Sequence, residues 1–83
     1  MKIVKGDTDR FYDMIIEFYD AFMENGEREF QIELLIKKDV DYSLLHDFVS
    51  LVNDLSNDWG GVAVEFKITE EGSKIDEPIA QRP

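Results

Sequence analysis

Cysteine is absent from this 83-residue chain. Disulfides, thiolate metal sites and a thiol nucleophile are therefore excluded. A chain this short buries only about 60% of its unfolded surface, so its core needs additional support. Self-association is the common remaining source of that support, and we expect a homodimer.

Long apolar segments are absent as well. No run approaches the ~20 residues that span a membrane. The first residues enter a polar turn near Gly6 without the apolar core of a signal peptide. We therefore expect a soluble, cytoplasmic protein that does not insert into a membrane.

Basic residues are scarce, with nine Lys and Arg against 19 Asp and Glu, a net charge of -10. This charge repels phosphate backbones and anionic lipids, so direct nucleic-acid or membrane binding is disfavoured. An acidic surface either keeps the protein soluble or draws it onto a basic protein partner. Charge alone does not separate these two roles.

Hydrophobic periodicity predicts five elements in the order β-α-β-α-β. They are a strand at 2–4, a helix from 7 or 9 to 25, a strand at 28–38, a helix at about 41–55 and a strand at 62–69. Asp7, Thr8 and Asp9 are the predicted N-caps of the first helix, and Gly26 is its predicted C-cap. Residues 1–70 thus form a single α/β domain, and the polar residues 71–83 are a predicted flexible tail.

The two helix-strand units resemble each other when the sequence is shifted by about 30 positions, and an Asp-x-Asp turn precedes each helix. Duplication and chance similarity of amphipathic units both explain this. Strands joined through helices favour parallel pairing with right-handed crossovers. The prediction is a two-layer domain, with both helices on one face of a three-stranded sheet that is parallel or mixed. A bare parallel face is unusual, so either a second copy covers it or the first strand lies elsewhere.

The first helix has more apolar surface than one sheet can cover. Beside its core stripe it carries a second apolar row, consisting of Tyr12, Ile16, Tyr19 and Met23. Tyrosine and methionine are common in interface cores, so this row is predicted to contact a partner or a second copy. The alternative is that the tail folds back and covers the row with Ile75 and Ile79.

The remaining edge of the same helix is a row of carboxylates, Asp13, Glu17, Asp20 and Glu24. Successive members are about 5.4 Å apart along the helix. Negative charges at this spacing can imitate a phosphate backbone and occupy a basic nucleic-acid-binding cleft. The alternative is an ordinary solvated face.

Two aspartate pairs, Asp7/Asp9 and Asp39/Asp41, follow the first two predicted strands. The carboxyl ends of parallel strands are where open α/β sheets place ligands. Four carboxylates there would suit Mg²⁺ or Ca²⁺, although the spacing is not that of an EF-hand. The alternative is that the aspartates cap helices.

No catalytic or cofactor signature is present. His46, the one histidine, shares a helix face with Ser43 and Asp47, and residues on one face cannot surround a substrate as a triad does. Gly60 and Gly61 form a turn without the frame of a phosphate-binding loop. Trp59 is either a cap on the core or an exposed binding anchor. We expect no enzyme activity and no cofactor.

These observations favour a non-enzymatic, small acidic interaction module that self-associates and binds or inhibits a basic, possibly nucleic-acid-binding, protein. Inhibitors, antitoxins, immunity proteins and phage-encoded factors share this size and charge. The alternative is a regulatory domain that binds a ligand or divalent metal through Asp7, Asp9, Asp39 and Asp41.

Overall fold

A computed structural model describes residues 1–71 and has the predicted β-α-β-α-β order. Its strands are β1 (Lys2–Asp7), β2 (Glu29–Ile36) and β3 (Ala63–Glu70), and its helices are α1 (Phe11–Asn25) and α2 (Tyr42–Asp58). The predicted α/β fold is confirmed. The predicted tail, with Ile75 and Ile79, lies outside the described residues from position 72 onward.

The sheet has the strand order β1-β2-β3, and both pairings are parallel. Val4 lies opposite Ile32, which in turn lies opposite Phe66. The sequence predicted a sheet that is either parallel or mixed. The parallel alternative is confirmed, and the mixed alternative is excluded.

Both helices pack on the same face of this sheet, because their buried residues join one core with the inward side chains of the strands. Phe18 of α1 is fully buried, with its ring centroid 4.6 Å from that of Phe30 and 5.1 Å from that of Trp59. Phe11 stacks on Phe48 of α2 at 4.7 Å. Within residues 1–71 the opposite face of the sheet is left open.

The start of α1 differs from the prediction. Asp7 still belongs to β1, and its carboxylate accepts a hydrogen bond from the Asp9 N–H at 2.9 Å. Thr8 Oγ1 accepts from the Lys37 N–H at 3.1 Å. The helix begins only at Phe11, and its N-cap residue Arg10 makes no side-chain capping bond. The prediction that residues 7–9 cap α1 is therefore wrong, because their side chains are used in a local turn and in contacts to Lys37, the residue that follows β2.

The end of α1 is as predicted. Gly26 has a left-handed backbone, with φ 66°, and its N–H donates to the Phe22 carbonyl at 3.0 Å. Glycine adopts this conformation without a steric penalty. The second helix runs to Asp58, past the predicted end at Leu55, and Asp41 caps its start by accepting from the Ser43 N–H at 2.9 Å.

Candidate interaction surface on the helices

The second apolar row of α1 is exposed within residues 1–71. Exposed fractions are 77% for Tyr12, 41% for Ile16, 44% for Tyr19 and 57% for Met23. The sheet accounts for the buried stripe of Met14, Phe18 and Ala21 on the same helix. The sheet and α2 leave a large part of each row residue uncovered, because the row lies on the side of α1 that faces outward.

Apolar side chains of α2 extend this exposed area. Leu44 and Leu51 are 54% and 43% exposed and help to line a shallow groove of about 340 Å³ between the helices. Its other apolar lining residues are Phe11, Tyr12, Ile15 and Phe48. We call the α1 row together with Leu44 and Leu51 (Tyr12, Ile16, Tyr19, Met23, Leu44 and Leu51) the helical surface. The sequence pattern did not identify its α2 part, because Leu44 and Leu51 each adjoin a residue that faces the core.

The acidic row of α1 consists of two different halves. Asp13 forms an ion pair with Arg10 at 3.1 Å, and Glu17 forms one with Lys2 at 3.1 Å. No Lys or Arg of residues 1–71 lies within ion-pair distance of Asp20 or Glu24, which are both exposed. The carboxyl-terminal half of the row is therefore available to an external cation.

Neither helix contains a lysine or an arginine, although together they carry seven acids. The bases of the described chain lie on strands and connecting segments instead. The side of the molecule formed by the helices is thus apolar and negative. The sequence carries this signal, but it is visible only when the residues of both helices are considered together.

The two aspartate pairs do not form a common cluster. In the described part of the chain, no three histidine, aspartate or glutamate side chains gather as a metal site. The cation beside Asp9 is Lys37, whose Nζ lies 3.4 Å from the Asp9 carboxylate. Hydrogen bonding and charge from Asp9, with the charges of Glu71 and Asp7, raise the pKa of Lys37. The metal-binding alternative gains no support from this geometry.

The structure also places His46 and Trp59, the one histidine and the one tryptophan of the chain. The His46 side chain is exposed, and its Nδ1 is 4.0 Å from Asp47 Oδ1, with both groups facing solvent. Trp59 stacks in parallel on Phe22 with centroids 4.0 Å apart. The tryptophan therefore closes one end of the core and is not a free binding anchor.

The open face of the sheet is mostly polar, with Ile3 and Leu35 as exposed apolar residues on it, and its polar groups contact one another. Lys5 lies 3.7 Å from the Glu33 carboxylate, which also accepts a 2.6 Å hydrogen bond from the Gln31 side chain. Cross-strand neighbours place Lys5, Glu33 and Lys67 in one row. These groups partly satisfy one another across the strands.

No protein-family model matches the chain, and neither curated proteins nor solved structures give a match. Neither helix of residues 1–71 has the length and apolar character needed to cross a membrane.

Proposed function

We propose that this protein is a non-enzymatic interaction module. It self-associates, and it binds a basic protein partner through α1. One observation carries the proposal. An exposed apolar row and an acidic row lie side by side on a helix that has no lysine or arginine.

The apolar row supports tight binding. Burial of apolar area favours complex formation, and tyrosine is common among the residues that dominate interface energies. Tyr12 and Met23 lie at opposite ends of the row and are its most exposed members. A partner that covers both ends would cover the full length of α1.

The acidic row supports selection of the partner and fast association. Asp20 and Glu24 have no cation of their own among the described residues and are four positions apart. Like charges at this spacing destabilise a helix by a few tenths of a kcal/mol. A basic cleft that normally holds a phosphate backbone would relieve this repulsion, and the bound protein would then inhibit it by occupancy.

The test begins with capture of partners on the immobilised protein, identification by mass spectrometry and titration of each purified candidate. We expect the affinity for the partner to fall as salt is added. We also expect nucleic acid to compete with this protein for the partner. Asp20→Lys/Glu24→Lys is expected to weaken binding about tenfold or more. Asp54→Lys/Asp58→Lys is the matched control, because it makes the same charge change at the same spacing on α2.

Equal losses in the two variants would show that only net charge matters and would refute the assignment to α1. The apolar half is tested by Tyr12→Ser/Met23→Ser, for which we expect faster dissociation of the partner. An unchanged dissociation rate would remove the apolar row from the interface.

A further inference from the structure

Strand β3 leaves one edge of the sheet open within the described chain. It is the last strand in the order and pairs only with β2. The Ala63 N–H donates to the Arg28 carbonyl at 3.0 Å, and the Glu71 N–H donates to the Ile36 carbonyl at 2.8 Å. Successive residues of a strand point their backbone groups to alternate sides. The N–H and C=O groups of Val64, Phe66 and Ile68 therefore point to the free edge.

The side chains along this edge are incompletely covered. Ile68 is 48% exposed, and Val64 and Phe66 are only partly buried. The strand is eight residues long and has no proline, one of the devices that protect edges from pairing. The other edge strand, β1, is six residues long and contains Gly6, which has no side chain to pack against a partner strand. Of the two edges, β3 is the one suited to accept another strand.

We propose that β3 pairs antiparallel with β3 of a second copy, with Phe66 at the twofold axis. In this register Glu65 lies opposite Lys67 of the second copy, and Lys67 lies opposite its Glu65. Val64 likewise lies opposite Ile68. Opposite charges and apolar pairs directly across strands stabilise a sheet. The sequence of β3 is thus complementary to itself about its central residue.

The backbone supports the same register. Val64, Phe66 and Ile68 point their donors and acceptors to the free edge, so the Phe66–Phe66 and Val64–Ile68 pairs are hydrogen-bonded pairs. Glu65 and Lys67 then form the intervening pairs, whose Cα atoms approach to about 4.5 Å. The charged side chains come close where the ladder is narrowest.

Other registers are less favourable. An axis at residue 65 places Glu65 opposite Glu65, and an axis at residue 67 places Lys67 opposite Lys67. Like charges directly opposite are destabilising. An axis at residue 68 places Phe66 opposite Glu70. Only the axis at Phe66 brings Glu65 and Lys67 together.

This pairing continues a pattern on the open face. Lys5, Glu33 and Lys67 are cross-strand neighbours, and the next residue across the interface is Glu65 of the second copy. Charge then alternates in sign along the row. A twofold interface of this kind closes on itself and forms a dimer. It keeps both pairs of helices on one side, so α1 of each copy stays free for a partner.

The inference rests on the self-association part of the proposed function. Substitutions that reverse the charge of Glu65 or Lys67 test the β3 pairing. In Glu65→Lys and in Lys67→Glu both cross-strand pairs become like-charged. We expect each variant to raise the dimer dissociation constant roughly tenfold or more in sedimentation at low salt. Glu65→Lys/Lys67→Glu restores opposite charges and is expected to restore the dimer. An equimolar mixture of the two single variants is expected to form a heterodimer.

Lys5→Glu is the matched control, because Lys5 and Lys67 flank the same Glu33 on one face. We expect it to change the dissociation constant less than about threefold. Equal effects of Lys5→Glu and Lys67→Glu would overturn the assignment to β3, as would a mixture without heterodimer. A wild-type monomer at millimolar concentration would overturn it too, and would remove self-association while leaving partner binding through α1 to stand.

Amide exchange gives a second measurement that does not depend on charge. The Val64, Phe66 and Ile68 amides are expected to exchange more slowly as protein concentration rises. The Ala63 amide, already bonded to Arg28, is the internal reference. Exchange at Phe66 that stays unchanged across the concentration range in which sedimentation shows the dimer forming would also overturn the β3 interface.

Discussion

Phe22 and Trp59 stack with parallel rings, their centroids 4.0 Å apart. The contact joins the end of α1 to the residue that follows α2, and the Trp59 ring also lies 5.1 Å from Phe18 and 5.9 Å from Tyr19. Aromatic pairs contribute about 0.5–1.5 kcal/mol beyond their buried area. One half-buried side chain therefore holds the two helices together at this end of the core.

Replacement of Trp59 by alanine is expected to destabilise the fold by about 2–4 kcal/mol, because it removes these contacts and opens a cavity. Urea unfolding followed by circular dichroism measures the change. Tyr12→Ala is the control, since Tyr12 is exposed and its loss is expected to change stability by less than about 0.5 kcal/mol. Similar losses in the two variants would contradict the role assigned to Trp59.

Gly6 and Met14 are in close contact. A Cβ at position 6 would lie 2.7 Å from Met14 Sδ and 3.0 Å from its Cγ, and Met14 is buried. Gly6→Ala is therefore expected to reduce the free energy of unfolding by about 1–3 kcal/mol. A double-mutant cycle with Met14→Ala checks the cause. The combined loss should be smaller than the sum of the two single losses, and strict additivity would exclude this contact as the reason.

Glu24 and Glu17 are expected to respond differently to neutralisation. Glu24→Gln removes repulsion from Asp20 and should raise stability by a few tenths of a kcal/mol at low salt. Glu17→Gln removes the pair with Lys2 and should leave stability unchanged or slightly reduced. Thermal unfolding at low and high salt measures both. A stabilising effect of Glu24→Gln that persists at high salt would not be electrostatic in origin.

Lys37 makes stability dependent on pH in the alkaline range. Its pKa in the folded protein is raised above the ordinary value of 10.5, first by the hydrogen bond and charge of Asp9. A raised pKa means that this contribution is fully present below 10.5 and is lost as pH rises through the folded-state pKa. The difference in melting temperature between wild type and Lys37→Gln should therefore shrink as pH rises above 10.5 and through the folded-state pKa of Lys37. A difference that grows there would contradict the sign.

The order of the elements follows from the sequence because each pattern is local, whereas the sequence left the strand pairing open between a parallel and a mixed sheet. Alternation in β2 and the three- and four-residue steps of α1 fix which side chains face the sheet, and crossover handedness then places both helices on one face. The start of α1 was missed for a nonlocal reason. The Thr8 side chain contacts the Lys37 N–H, 29 positions away in the chain, and no pattern within residues 7–9 encodes that contact.

The candidate surfaces were predictable to different degrees. The exposed row from Tyr12 to Met23 follows from the width of the apolar arc of α1. The exposure of Leu44 and Leu51 depends on how the two helices are rotated toward each other, and the free edge of β3 depends on which backbone groups β2 already uses. Both require the assembled fold. The self-complementary order of charges in β3 has meaning only once that edge is known.

The absence of lysine from both helices has a practical consequence for handling the protein. Amine-reactive dyes, crosslinkers and coupling resins can attach only outside α1 and α2, at the chain amino group or at lysines such as Lys5, Lys38 and Lys67. Protein immobilised through Lys5 or Lys38 keeps the helical side chemically intact. Labelling of Lys67, in contrast, would place a bulky group at the free edge of β3. A variant that lacks this lysine is therefore the better protein to immobilise on a sensor surface.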